Sequence, residues 1–349
     1  AFHEPLVVEE LPLPEPDPDE VLVKVMASGL CLTDVHIQEG IIKSVRLPYT
    51  PGHEMAGIVV KLGQNVQDKG LYIGQHVVCG IDITCGKCPL CRMGRENLCV
   101  NRIRIGFERD GSHREYAVVP YTNLFPIDER IPFDQAAVIP DAVACMLHGI
   151  KDQGKVTKGT RVLFHGTGAL GLQGVQIAKW LGAEVYACAR TQEKLDKALS
   201  FGADAVINTR EKDLQQELDR LTDGEMCDVV FDLVGQTDTL DMLLRCIRPG
   251  GKIVALAYAV EKFFINSQEL VIKEKEVIGV RGSTTENLRE SIRLVEEGKI
   301  VPYVSHHYRL EEINQALDDL RAEQHRKRKR LHQHGNSGVQ PCFLPHNSS

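Results

Sequence analysis

Residues 160–171 read Thr-Arg-Val-Leu-Phe-His-Gly-Thr-Gly-Ala-Leu-Gly, a short β-rich run that ends on G-x-G-x-x-G. An apolar helical stretch follows through Trp180 and Leu181. Strand, glycine turn and helix in that order describe the opening unit of a parallel α/β sheet with a dinucleotide-binding turn. Gly166 permits the turn, Gly168 lets the backbone approach a pyrophosphate, and Gly171 lets helix and strand pack closely. With Thr167, Ala169 and Leu170 they form the candidate phosphate-binding set, and the free amides and positive dipole of the helix N-terminus face the phosphates. The alternation continues with Ala205-Val206-Ile207, a polar helix near 211–222, the strand Asp228–Asp232, a helix to Arg248, the strand Ile253–Leu256 and a last strand Val277–Val280. Strands alternating with helices imply a doubly wound parallel sheet, here of six strands.

The end of the second strand, Glu184–Ala189, bears on the coenzyme. An acid about twenty residues beyond the glycines binds the adenosine ribose hydroxyls of NAD. Ala189 stands there instead, followed by Arg190 and, further on, Lys194. Loss of the carboxylate removes repulsion of a 2′-phosphate and Arg190 offers it a bidentate partner, which favours NADP over NAD. The competing reading is a solvated Arg190 stacked on adenine, with NAD still usable.

Cys85, Cys88, Cys91 and Cys99 stand at C-x2-C-x2-C-x7-C, with Gly86, Pro89 and Gly94 allowing tight turns between them. This spacing brings four thiolates around one tetrahedral zinc, and four thiolates leave no open position, so such a zinc is structural. The alternatives are two disulfides or a chance cluster. The other cysteines are scattered and read as small core residues or unexceptional thiols. Upstream, Gly29-Leu30-Cys31-Leu32-Thr33-Asp34-Val35-His36 is followed by Pro51-Gly52-His53-Glu54. A thiolate, an imidazole and a carboxylate suit Zn²⁺, but their separation carries no local signature, and each alone also reads as structural.

On these motifs the chain resembles the medium-chain zinc-dependent alcohol dehydrogenases (MDR superfamily), from residue 1 to about residue 322. The resemblance implies a discontinuous GroES-like β-rich catalytic domain at 1–141 and 282–322, and a Rossmann cofactor domain at 142–281, with the active site in the cleft between them. Short strands at Val21–Val25, Ala56–Val60 and His76–Val78, after prolines at 12, 14, 16 and 18, agree with a β-rich first domain. By the resemblance, Cys31 and His53 bind a catalytic zinc, and Glu54 can bind it or exchange with water. The third ligand falls at Asp141, where many relatives carry Cys. A carboxylate oxygen is an acceptable zinc ligand, and a less thiolate-rich zinc is a stronger Lewis acid. Asp34 accepts a hydrogen bond from the zinc-binding histidine and fixes its tautomer. Thr33 and His36 form a hydroxyl and imidazole relay for the substrate proton; the plain alternative for His36 is a surface histidine. The implied activity is hydride transfer between NAD(P) and a small alcohol, aldehyde or ketone, in a homodimer or homotetramer.

The chain's 349 residues suggest two domains, and 43% hydrophobic with 26% charged residues is ordinary for a soluble globular chain. No apolar run reaches the roughly 20 residues of a membrane span, and no secretory signal is visible, so a cytoplasmic protein without membrane partners is expected. The net charge is −7, but residues 325–349 hold five basic residues (326–330) and no acid, leaving 36 basic against 48 acidic residues elsewhere, a net of −12. A body that acidic is a poor general nucleic-acid binder. Residues 323–349 lack apolar periodicity and are expected to be a largely disordered tail in place of the family's final strand. Two rival functions remain open: an NADPH-dependent enone or enoyl reductase of the same fold, and a non-enzymatic zinc and dinucleotide-binding protein whose tail engages a polyanion.

Overall fold

The computed structural model describes residues 2–237, 239–257, 262–332 and 341–344, with side chains described to residue 322. Two compact units emerge, one from Ala1–Ala144 and Ser283–His325 together with the strand Pro341–Leu344, the other centred on Cys145–Gly282.

In the first unit the strand Glu20–Gly29 is the hub. Its Val21, Val23, Val25 and Ala27 share one face and are all buried, while on the other face Leu22 and Ser28 are buried, Met26 is half-buried and Lys24 is exposed. It pairs antiparallel with Glu54–Leu62 and with Tyr116–Pro120, and the sheet continues through His76–Cys79 to Leu124–Pro126. Met55, Val59, Val66, Val77, Ile105 and Val119 close the core on the Val21 face. A second cluster lies under the helix Leu32–Gln38, where Leu30 and Val35 meet Ile313, Ala316, Leu317 and Leu320 from the helix Ile313–His332. The i, i+3, i+4, i+7 spacing of those four positions makes a single apolar stripe, and it seats the helix that starts at Cys31.

Within the tail expected to be largely disordered, the described backbone includes two regular stretches. The helix runs on to His332, and Pro341–Leu344 pairs with Ser28–Gly29 antiparallel and with His306–Arg309 parallel. Once nucleated by its packed first turns, a helix propagates at little cost through Arg, Lys and Leu, which are good helix formers. The edge left beside Gly29 offers unpaired backbone groups to the Pro-Cys-Phe-Leu segment. Residues 333–340 and 345–349 of that tail lie outside the described residues.

The second unit is a six-stranded parallel sheet. Arg161–His165 lies between Glu184–Ala189 and Cys227–Asp232; Ala205–Asn208 extends one side, and Ile247–Ala255 with Glu276–Gly279 the other. In chain order this is 3-2-1-4-5-6, so the strand order reverses between Arg161–His165 and Cys227–Asp232, where such sheets bind ligands. Val162, Leu163 and Phe164 are fully buried, as helices on both faces require. The helix expected to reach Arg248 ends at Leu244, and a strand begins at Ile247. Its ladder skips from Cys227↔Ile247 to Val229↔Lys252, because Pro249 has no N–H to give and Gly250 turns through a positive φ of 69°. Cys79, Cys188, Cys227 and Cys246 are buried, as read from the sequence. Among the described residues no helix is long and apolar enough to cross a membrane.

Candidate functional site

The two separated motifs upstream meet through strand register. Gly29 pairs with Glu54, so the residues following one strand lie beside those preceding the other. The pairing demands glycine, since a Cβ at Gly29 would stand 2.0 Å from Glu54 Oε2. Glu54 is fully buried there. Gly52 sits at a φ of 102°, and its absent Cβ would fall 2.6 Å from the backbone N of His113 and 2.7 Å from that ring's Nδ1. The glycine of the Gly-His-Glu motif therefore serves a close approach as well as a turn. Asp141 arrives from the wide helical turn Ile139–Val143.

Ligand-type atoms of Cys31, His53, Glu54 and Asp141 lie within 4.8 Å of one another. His53 Nε2 faces Asp141 Oδ2 at 3.5 Å, and its Nδ1 faces Asp34 Oδ1, also at 3.5 Å. Asp34 Oδ2 in turn accepts the backbone N–H of Cys31 at 2.9 Å, closing the first turn of Leu32–Gln38. Burial penalises the Asp34 charge, yet His53 and His113 outweigh it and hold the carboxyl well below the usual range. Burial likewise opposes charge on His53, but Asp34 and then Asp141 lift it well above an ordinary imidazole. Burial raises the Cys31 thiol, and Asp141 and Glu54 add to the rise. Three acidic donors crowded around one imidazole in a buried place call for a cation, and N, O and S donors together suit zinc.

Thr33 and His36 lie on the helix beginning at Leu32, and Thr33 Oγ1 is 3.5 Å from Cys31 Sγ. His36 is 3% exposed, which rules out the surface-histidine reading.

The four-cysteine loop holds the second cluster. Cys88 precedes the short helix Pro89–Arg92, with Pro89 at its first position. The sulfurs of Cys88 and Cys91, and of Cys85 and Cys99, are 3.5 Å apart, and those of Cys88 and Cys99 are 4.0 Å apart. A disulfide needs about 2.05 Å. Tetrahedral Zn–S bonds of about 2.3 Å put sulfurs about 3.8 Å apart, so the cluster fits a closed cation site. Backbone N–H groups of Lys87 and Cys88 bring the Cys85 thiol down to about 6. Desolvation, with Cys88 and Cys99 alongside, pushes Cys91 up to about 12.

In the second unit, Gly166 has a φ of 107° and Gly168 caps the helix Ala169–Trp180. A Cβ at Gly171 would lie 2.1 Å from Gly166 O, whereas one at Gly168 would meet open space. Close packing on one side and clearance on the other fit a turn that admits a phosphate. Among the described residues, Thr167 Oγ1 and Thr191 Oγ1 are buried without a hydrogen-bond partner, which suits a polar ligand at the strand ends. Arg190 follows Glu184–Ala189 and is half-buried, as is Lys194.

Two constellations were not legible in the sequence. His165 Nδ1 lies 3.0 Å from Asp232 Oδ1 where the strand order reverses, and among the described residues Asp232 Oδ2 is buried without a hydrogen-bond partner. Strand-end polar residues after an apolar run were the available signal. Ser28, Ser112 and His113 form a buried chain behind Asp34; no spacing links residue 113 to residue 34.

Residues 17–129 match the model of the alcohol dehydrogenase GroES-like domain, and residues 169–297 that of the zinc-binding dehydrogenases. L-threonine 3-dehydrogenase of Pyrococcus horikoshii is 34% identical over 325 residues, covering 90% of this chain and 91% of that protein. Acryloyl-coenzyme A reductase of Sulfurisphaera tokodaii is 28% identical over 88% of this chain and 90% of its own length. The crystal structure of an NAD-dependent alcohol dehydrogenase superposes with a TM-score of 0.88 at 29% identity, covering 96% of this chain and 94% of that one.

Proposed function

The chain belongs to the medium-chain zinc-type dehydrogenase family, oxidoreductases that interconvert an alcohol and an aldehyde or ketone with a nicotinamide coenzyme, and we propose that Cys31, His53 and Asp141 hold its catalytic zinc. Convergence of those three donors within 4.8 Å carries this reading. When bound, zinc supplies Lewis acidity toward the substrate oxygen, and the nicotinamide supplies or accepts the hydride.

The chain's own residues do the rest. Asp34 holds the proton on His53 Nδ1, which leaves Nε2 as the ligating nitrogen. Glu54, buried against Gly29, stands close enough to exchange with water as a further ligand. In the oxidative direction Thr33 Oγ1 takes the alcohol proton and His36 passes it towards solvent. A second zinc in Cys85, Cys88, Cys91 and Cys99 braces their loop. Gly166–Gly171 cradles the pyrophosphate, and Arg190, with Lys194 nearby, receives a 2′-phosphate, so NADP is the preferred coenzyme.

The substrate is a small alcohol or carbonyl compound. The enzyme acts as a homodimer or homotetramer in the cytoplasm, where a reducing environment keeps such thiols free.

Metal analysis and steady-state rates of Cys31→Ala test the reading. We expect one of two zincs to be lost and turnover of an alcohol and aldehyde panel to fall about 10³-fold, the scale of a lost Lewis acid. Full turnover in metal-depleted buffer, or turnover of an enoyl thioester alone, would overturn it.

A further inference from the structure

The carboxylate behind His53 has a second imidazole against it. His113 Nε2 lies 3.7 Å from Asp34 Oδ1, the same oxygen that faces His53 Nδ1 at 3.5 Å. The side chains of Asp34, His53 and His113 are at most 3% exposed. The opposite nitrogen of His113, Nδ1, is 2.9 Å from Ser28 Oγ, and Ser28 Oγ is 2.7 Å from Ser112 Oγ. Main-chain bonds fix the same segment to the metal-site turn: Ser112 N–H donates to Gly52 O at 2.9 Å and His113 N–H to Pro51 O at 3.0 Å. The ring fills the space that a Gly52 side chain would need.

An apolar ring would fill this space at no polar cost, whereas a buried imidazole is costly unless both nitrogens are matched. Here each nitrogen faces a polar group. In the tautomer in which Ser28 Oγ–H donates to Nδ1, the ring's N–H is on Nε2 and directed at Asp34. Asp34 Oδ2 is then held by the Cys31 N–H hydrogen bond, while its Oδ1 faces two imidazoles at 3.5 and 3.7 Å, charge contacts longer than hydrogen bonds. The bond at Oδ2 and the attraction of both rings for Oδ1 favour the carboxylate orientation that faces His53 Nδ1, and with it the orientation of His53 Nε2.

We propose that His113 is a positioning residue for the metal centre: linked to Ser28 through Nδ1, it uses Nε2–H to hold Asp34 in the orientation that presents His53 Nε2 to the cation. The inference rests on Cys31, His53 and Asp141 being the ligands.

Asparagine and glutamine separate the two nitrogens of the ring. His113→Asn keeps a polar group near Nδ1 for Ser28 but does not reach Asp34, and His113→Gln reaches towards Asp34. The full-length protein is stripped of its labile zinc by chelator dialysis, and Zn²⁺ uptake is titrated against a chromophoric chelator. His113→Asn and His113→Phe are expected to weaken zinc binding about 10-fold or more, as removal of a ligand's hydrogen-bonding partner does, with His113→Gln within about threefold of wild type. Thermal midpoints of the zinc-stripped proteins should stay together. Unchanged affinity in His113→Asn and His113→Phe overturns the proposal. So does an equal loss in all three that tracks the zinc-stripped midpoints, which is the mark of a packing role. If Cys31→Ala takes up the same zinc with wild-type affinity, the ligand assignment itself falls, a result distinct from either.

Discussion

Asp141 shows how much a single residue changes at this centre. As the proposed third ligand, Asp141 would give the cation a carboxylate oxygen, a harder donor than sulfur, and its Oδ2 lies 3.5 Å from His53 Nε2. Nearby, Glu108 illustrates an acid whose charge the fold depends on. Arg104 Nε donates to both its carboxylate oxygens at 3.1 and 3.2 Å, and Arg104 also lies over the Phe107 ring that tilts against His53. Burial works against the Glu108 charge, but Arg104 and Ser44 hold the carboxyl at about 2. A folded-state value below the unfolded one stabilises the fold above the unfolded pKa and is lost as pH falls through the folded one. The destabilisation caused by Glu108→Gln should therefore be full at pH 6 and shrink between about pH 4.3 and pH 2. Urea midpoints of both proteins across that range check it; a pH-independent difference would show that the charge contributes nothing.

Strand ends and loops carry the next level of argument. Glu184–Ala189 and the helix Gln192–Ser200 frame Arg190, with Thr191 at the position before the helix but making no side-chain cap bond. A guanidinium there gains a charge-assisted bond only from a 2′-phosphorylated coenzyme. Arg190→Ala should raise the Kd for NADPH about 10-fold and change that for NADH by less than about twofold, read by fluorescence titration. Equal effects on both coenzymes would reduce Arg190 to an adenine contact. The tail teaches the converse lesson. Its composition, basic and without apolar period, argued for disorder, but an element's neighbours decide its fate: a packed helix start carries the backbone to His332, and an open edge recruits Pro341–Leu344.

At the scale of the molecule, the two proposed zinc sites differ in openness and so predict two kinds of metal loss. Under the proposed ligand sets, four thiolates would close the Cys85–Cys99 site, whereas the Cys31–His53–Asp141 site would retain an exchangeable position. Chelator dialysis should remove one zinc together with turnover while the thermal midpoint moves little. The second should leave only as the first unit unfolds, because metal bound in the folded loop adds to folding free energy. Metal analysis alongside thermal melts follows both; simultaneous loss at one chelator concentration would contradict the division.

Periodicity and short motifs are local, and whatever depends on them was legible in the residues alone. The six parallel strands, the glycine turn at 166–171 and the four-cysteine loop each lie within one stretch of chain whose spacing states its geometry. The open metal centre was readable only through family resemblance, because Cys31, His53 and Asp141 are separated by 22 and 88 positions and share no local spacing. What joins Cys31 to His53 is the Gly29↔Glu54 register and the close approach that Gly52 permits, and Asp141 is added from the turn Ile139–Val143. His113 was beyond reach altogether: its contact with Asp34 spans 79 positions and exists only because one turn packs on another without a side chain between them. Which elements form was written in the order of the residues, whereas which side chains share a buried charge was decided by strand register and packing, interactions that no single stretch of chain contains.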